Sequence, residues 1–367
     1  MEFICQRSDL LDAVNIVSKA VNSRTTLPIL ECILIEANNT GISLTANDLE
    51  IAIKTKEIEA EVIEEGSIAI NASFFFDIIR KFTGEKVKLS CSDDFKTFLT
   101  CDKSKFNIMA QNSESFPKIE NFEKENSIKI KSSVFKNMIK QTVFSVAADA
   151  SNRPVLTGEL IETDNNKISM VSVDGYRISY IEEEIENADE NSIIVPGKTL
   201  NELSKILPSE EDDFVYIFFD DKNILFDISG NILLSRLIDG DFIKYEQSFT
   251  NEYKTKIIVN KTELLQALDR ASLFAKEIKK IPVKFEISLG LLKISSDSQF
   301  GNTEDEIHAE TDGDNLKIAF NPRYISEALR AIDEDYVSMY FTTSLSPCII
   351  KGTEKENYKY LVLPLRI

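Results

Sequence analysis

Residues that could carry chemistry are few, and their spacing is wrong for it. The run Val195-Pro196-Gly197-Lys198-Thr199 has the ending of a phosphate-binding loop. That loop needs a glycine five residues before Gly197, and Ser192 stands there, so the motif is rejected. The single histidine, His308, sits among Glu304, Asp305, Glu306 and Glu310 in what reads as a surface loop. The five cysteines, Cys5, Cys32, Cys91, Cys101 and Cys348, are scattered and odd in number, with no pair at zinc spacing. They read as reduced, half-buried thiols of a cytosolic protein. No serine stands in a nucleophile elbow. Asp174-Gly175 and Asp297 could be read as acids, but Asp-Gly is primarily a hairpin-turn signal. A net charge of -19 over 367 residues leaves metal-assisted carboxylate chemistry open but singles out no pair. Enzyme signals are therefore weak, and no cofactor or metal is implied.

The elements behind these residues repeat. Ile193 to Leu207 (IIVPGKTLNELSKIL) reads as a strand, a turn and a helix. Similar stretches run from Ile68 to Phe82 and from Ile318 to Ile332, at intervals of about 125 residues. Aligned apolar positions are Ile78, Leu203 and Ala328, then Phe82, Leu207 and Ile332; Arg80, Lys205 and Arg330 align as a basic position. A second set begins at Phe3, Ile128 and Ile257, with Leu10, Phe135 and Leu264 opposite one another, and Val14, Ile139 and Leu268 likewise. Ser8, Ser133 and Thr262 recur where N-caps or first-turn residues belong. Pro28, Pro154 and Pro282 each open an apolar strand, and turn signals follow at 38–41, 164–166 and 288–290.

Each third thus reads as strand, helix, strands, twice over. Polar linkers at 120–126 and 247–252 set three domains at 1–124, 125–248 and 249–367. The fold class is α+β: three tandem copies of a domain in which two helices pack on antiparallel sheets. No apolar run reaches membrane-spanning length, and the N-terminus MEFICQRSDLL lacks a signal pattern.

Such an array leaves sheet edges at its two ends, and complementary ends close head-to-tail into a symmetric ring. Phe106 and Ile108 in the first domain and Leu273 and Phe274 in the third are the candidate dimer contacts. Acids crowd the strands and loops, whereas the helices carry Arg80, Lys136, Lys140, Lys198, Lys205, Arg323 and Arg330. One basic helical surface on an acidic protein would attract phosphates without reading sequence. The plainer alternative is a solvated helix face with intrahelical partners such as Asp77–Lys81.

Two stretches remain: the apolar C-terminus Tyr360-Leu361-Val362-Leu363-Pro364-Leu365-Arg366-Ile367, and Met170 to Ser179 (MVSVDGYRIS). Together with Thr26-Leu27-Pro28-Ile29-Leu30 and Arg153-Pro154-Val155-Leu156-Thr157-Gly158, they resemble the bacterial DNA polymerase III β subunit, the replicative sliding clamp, from end to end. The resemblance implies a non-catalytic head-to-tail homodimer. Its six domains form a ring around double-stranded DNA, with helices inside and sheets outside. It also implies a cleft for short peptides of Gln and apolar residues borne by the replicative polymerase, the clamp loader and other partners. Matching positions are Leu156, Val173, Gly175, Tyr176, Arg177, Ile178, Asn321, Tyr324, Leu363, Pro364, Leu365 and Arg366, and Arg24 matches a DNA-contacting position. Val173 replaces a Thr of the family pattern, Tyr176 a His and Pro347 a Ser; Ile243 and Gln247 stand where Pro and Arg are common. The competing reading is an acidic multidomain protein-binding scaffold that never encircles DNA.

Overall fold

The computed structural model describes residues 1–22, 25–119, 122, 127–149, 152–186, 189–210, 213–250, 252–273 and 282–366. Along the chain, β1 (Glu2–Gln6) and α1 (Arg7–Val17) lead into β2 (Cys32–Asn38), β3 (Gly41–Asn47), β4 (Ile51–Lys54) and β5 (Ala60–Glu64). Then β6 (Gly66–Asn71) and α2 (Ala72–Lys81) precede β7 (Lys86–Cys91), β8 (Lys96–Cys101), β9 (Ser104–Met109) and the short β10 (Gln111–Asn112). The pattern returns as β11 (Ser127–Lys131), α3 (Ser132–Thr142), β12 (Gly158–Asp164), β13 (Lys167–Val173) and β14 (Arg177–Glu184). It continues with β15 (Asn191–Pro196), α4 (Gly197–Ile206), β16 (Phe214–Phe219), β17 (Asn223–Ile228) and β18 (Asn231–Arg236). The last third holds β19 (Thr255–Asn260), α5 (Lys261–Ala271), β20 (Val283–Ser288), β21 (Leu291–Ser298), β22 (Gly301–His308) and β23 (Glu310–Gly313). It ends with β24 (Leu316–Phe320), α6 (Pro322–Ala331), β25 (Tyr336–Phe341), β26 (Cys348–Gly352) and β27 (Tyr358–Val362).

Two compact units result. The first takes Met1–Ser133 with Asn201–Leu237, the second Val134–Leu200 with the chain from Ile238 onward. The first unit holds a five-stranded sheet, β5-β1-β7-β8-β9, and a nine-stranded sheet, β10-β6-β2-β3-β4-β18-β17-β16-β11. The second unit holds a nine-stranded sheet, β15-β12-β13-β14-β27-β26-β25-β19-β23, and a four-stranded sheet, β22-β21-β20-β24. Each nine-stranded sheet forms where the third strand after the helix of one half-repeat pairs with the corresponding strand of another. These pairs are β4 with β18 (Ile53↔Leu233) and β14 with β27 (Ile178↔Leu361).

Helical spacing explains the cores. Leu10, Ala13, Val14 and Val17 are buried on α1, and Leu264, Ala267, Leu268 and Ala271 on α5. Phe135 and Ile139 are buried at the equivalent places. On α1 and α5 these i, i+3, i+4 sets form the buried face of the helix. All five cysteines are free thiols, and only Cys91 is partly exposed. Burial pushes Cys5 up to about 12 and Cys32 up to about 11, so neither is a thiolate at neutral pH.

Two local expectations change and one is narrowed. Of the two places expected for Ser8, Ser133 and Thr262, all three take the first turn and none the cap. Asn71 and Asn260 cap α2 and α5, accepting from Phe74 N and Glu263 N. Gln6, before α1, makes no side-chain cap bond. Pro28 and Pro154 open single 3-10 turns, Pro28–Glu31 and Pro154–Thr157, before their strands begin. A fixed φ suits the first position of a helical turn, so the proline starts the turn and the strand follows. His308 is not in a loop: it is the exposed last residue of β22, opposite Leu291.

One buried group carries a cost. Glu159 on β12 is fully buried, and neither carboxyl oxygen has a hydrogen-bond partner. Burial raises its pKa from 4.5 to about 8, and nearby Thr142 offsets this only slightly. Below pH 4.5 the folded and unfolded chains both hold this proton. From there to about pH 8 only the folded chain does, so Glu159 makes stability fall as pH rises through that window. At neutral pH the cost is on the order of 3 kcal/mol. Glu159→Gln keeps the volume and removes the ionisation. Its melting temperature relative to the parent should climb across that window in thermal unfolding; a difference independent of pH would contradict the account.

Candidate peptide-binding cleft and basic helices

The cleft residues converge within the second unit because β14 and β27 are neighbours. The β13–β14 connection is built by Asp174, whose carboxylate accepts from Tyr176 N at 2.9 Å and Arg177 N at 3.1 Å. Gly175 holds φ +87°, a left-handed conformation that favours glycine. The turn leaves the Tyr176 ring 57% exposed, stacked on Tyr324 at 6.1 Å between centroids. Tyr324 stands in the first turn of α6, which Asn321 caps by accepting from Arg323 N at 3.1 Å. Burial and the Asp174 carboxylate raise the Tyr324 phenol pKa, keeping it a neutral donor.

Beyond β27 the tail is tied down by its backbone. Leu363 N donates to Tyr176 O at 2.9 Å and Leu365 N to Ala319 O at 2.7 Å. Leu363 stays 38% exposed, and Pro364 and Leu365 are half-buried. The floor is an apolar cluster that includes Leu156, Val173, Ile178, Tyr245 and Leu361, flanked by Phe242 and Ile243. The result is a greasy surface with a few polar backbone groups, suited to an apolar peptide held in one register.

Arg177 plays a different part from the one its motif suggests. It is 5% exposed, so its guanidinium is no open contact for a ligand. It donates through Nε to Asp174 at 2.9 Å, through Nη1 to Glu327 and through Nη2 to the Phe144 carbonyl. Its Cζ lies 4.6 Å from the Tyr324 ring centroid and 5.3 Å from that of Phe144. Arg177 therefore fixes the turn, α6 and the segment after α3 against one another. Glu327 and Phe144 were missed in the sequence. Glu327 was findable in part, since it stands four residues after Arg323 and pairs with it at 2.7 Å.

The candidate DNA-facing cations lie on helices, but most are neutralised locally. Arg80 pairs with Asp77 at 2.8 Å, in place of the expected Asp77–Lys81 pair. Lys205 pairs with Glu202 at 2.7 Å, Arg330 with Asp269 at 3.3 Å and Lys140 with Asp333 at 3.0 Å. Lys136 and Lys198 also have partners. Arg80, Lys205 and Arg330 recur in the last turns of α2, α4 and α6, where a cation also complements the helix dipole. Phe106 is 41% exposed on β9, an edge strand, and Ile108 on the same strand is half-buried. Leu273, just past α5, is 58% exposed. Arg24 and Phe274 lie outside the described residues.

A cavity of about 540 Å³ adjoins the cluster at Tyr180, lined also by Glu162, Asp164, Lys167, Glu182 and Glu190 among others. Its charged walls do not resemble the apolar cleft. Among the described residues no group of three or more His, Cys, Asp or Glu could hold a metal ion, and no helix is long and apolar enough to cross a membrane.

Strand–helix half-repeats joined through the third strand after each helix, with an apolar surface at β14 and β27 and basic helices, define the clamp class of proteins. Known proteins narrow this further. Models of the N-terminal, central and C-terminal domains of the DNA polymerase III beta subunit match residues 1–120, 129–244 and 246–366. The beta sliding clamp of Staphylococcus epidermidis is 35% identical, over 100% of this chain and 99% of that one. A putative DNA polymerase III beta subunit from Eubacterium rectale superposes with TM-score 0.94 at 40% identity, covering all of both chains. The Bacillus subtilis sliding clamp gives 0.93 at 32%, over 100% of this chain and 99% of that chain. The chain belongs to the bacterial DNA polymerase III β subunit family of sliding clamps, a family of non-catalytic processivity factors.

Removing one partner of a buried charge network strands the others. Arg177→Ala should lower the unfolding free energy by about 3–5 kcal/mol in urea titrations. Arg323→Ala, which removes an exposed partner of the same carboxylate, should cost less than about 1 kcal/mol. Equal losses would contradict the assigned roles.

Proposed function

We propose that two copies of this chain close head-to-tail around double-stranded DNA. The ring would tether the replicative polymerase, the clamp loader and other motif-bearing partners through the apolar cleft. The carrying observation is the strand inventory. The sheet β15-β12-β13-β14-β27-β26-β25-β19-β23 is built from two half-sheets. The same halves recur unjoined, as β24-β20-β21-β22 and β9-β8-β7-β1-β5. Joining β22 of one copy to β9 of another would restore the same nine-stranded order. The edges are complementary in charge, with Lys103 and Lys105 at β9 and Glu304, Asp305 and Glu306 on β22. This adds β22 to the dimer contacts Phe106, Ile108, Leu273 and Phe274. A heterologous contact used once per chain, with closure after two copies, gives a symmetric ring.

Sliding follows from weak, general attraction. Arg80, Lys140, Lys205, Arg323 and Arg330 already hold carboxylates, so each phosphate contact displaces an existing partner. The net gain per contact is small, and no register on the duplex is strongly favoured. Retention then comes from topology. Arg24, Lys136 and Lys198 complete the proposed inner set. Family membership and the free thiols support a cytoplasmic location.

A loaded dimer should remain on nicked circular DNA and leave within seconds to minutes once the circle is cut, read by gel filtration of labelled protein. Unchanged retention after cutting would remove the topological mechanism and favour the acidic scaffold. Phe106→Asp should yield a folded monomer by sedimentation velocity that is not retained on either DNA. A dimer of unchanged affinity would overturn the β9 contact.

A further inference from the structure

The cleft does not stop at its apolar floor. Ile178 on β14 and Leu361 on β27 are paired positions of that floor. Two residues along each strand, on the same face, lie Tyr180 and Lys359, which pair in turn. Lys359 Nζ rests 4.6 Å from the Tyr180 ring centroid and 4.4 Å from that of Phe249. Farther across the same face, Lys351 and Lys256 lie 5.6 Å and 5.5 Å from the Tyr340 ring centroid. Tyr253, 44% exposed, meets Tyr340 edge-on at 5.1 Å. This is a shelf of three half-exposed lysines laid on aromatic rings.

In so acidic a chain the shelf stands out. Many other strand lysines are answered by carboxylates: Lys54 by Glu36, Lys88 by Glu2, Lys167 by Glu182, Lys284 by Asp297, Lys293 by Glu304 and Lys317 by Glu286. Lys129 on β11 also rests on rings, those of Phe214 and Tyr216, but it does so singly. Among the described residues, Lys256, Lys351 and Lys359 have rings instead of ion-pair partners. Glu182 acts weakly on Lys359, but it is already taken by Lys167 and by the Tyr180 hydroxyl. Burial, then repulsion from Lys351, lowers the Lys359 pKa. The shelf therefore holds uncompensated positive charge, which an incoming anion would relieve.

We propose that this shelf is an extension of the peptide cleft and receives Asp or Glu residues flanking the cleft-binding motif of a partner protein. The proposal rests on the cleft reading above. An acidic peptide fits better than a nucleic acid. There are only three cations, no arginine for bidentate phosphate contacts, and Glu162, Glu182 and Glu246 border the aromatic rings and would repel a long polyanion.

The test uses the full chain and fluorescent peptides sharing one core of Gln and apolar residues. The flanks are neutral, or carry three Asp residues before or after the core. Binding is read by anisotropy. One acidic flank should tighten binding about tenfold at low salt. That gain should vanish at about 0.5 M salt and in the double variant Lys351→Gln, Lys359→Gln, while core affinity is unchanged. Core binding with no gain from either flank overturns the shelf but not the cleft. Failure of every peptide to bind overturns the cleft reading and the shelf with it. An oligothymidylate that displaces the acidic-flanked peptide from the shelf at equal concentration would assign it to nucleic acid and overturn the proposal.

Discussion

Backbone N–H and C=O groups at a strand edge need partners, and this requirement organises the whole chain. Within each unit it is met by pairing the third strands after the helices of two half-repeats, β4 with β18 and β14 with β27. The pairing is antiparallel and spans several residues, so it also fixes which side chains become neighbours. Two equivalents are left over, β9 and β22, at the edges of the five- and four-stranded sheets. Exposed edges of that kind invite pairing with another chain. Their equivalence to strands that already pair makes a second copy the natural partner.

The cleft follows from the same rule. Because β27 lies beside β14, Leu361 meets Ile178, and the tail beyond it is held by Tyr176 O and Ala319 O. Arg177 then ties the turn to α6 through Asp174 and Glu327. A surface made from elements so far apart in sequence keeps its shape only while that buried network is intact. The basic helices need no comparable precision. Their cations are mostly exposed and already ion-paired, which suits the proposed role of a wall along which a duplex moves.

Much of this was legible in the residues. The recurrence of Leu10, Phe135 and Leu264, and of Ile78, Leu203 and Ala328, sets out six strand–helix units, and all six side chains are buried. The C-terminal run and MVSVDGYRIS, through their family resemblance, pointed to one cleft, and the structure brings them together. Other features were hidden for physical reasons. β22 reads as a loop because GNTEDEIH is polar on both faces, and an edge strand has little to bury. The caps Asn71, Asn260 and Asn321 were passed over because Asn also signals turns. The burial of Arg177 could not be read locally, since Glu327 lies 150 residues away. The lysine shelf was invisible because its three lysines sit on three different strands of one sheet, β19, β26 and β27.

The central claim is that β9 and β22 pair between copies. Amide hydrogen exchange followed through a dilution series tests it most directly. The outward-facing amides of β9 and β22 should be protected at concentrations where the dimer forms and exchange rapidly once it dissociates. The amides joining β4 to β18 and β14 to β27 should stay protected throughout. Equal exchange of β9 and β22 at every concentration, with the dimer present, would contradict the account.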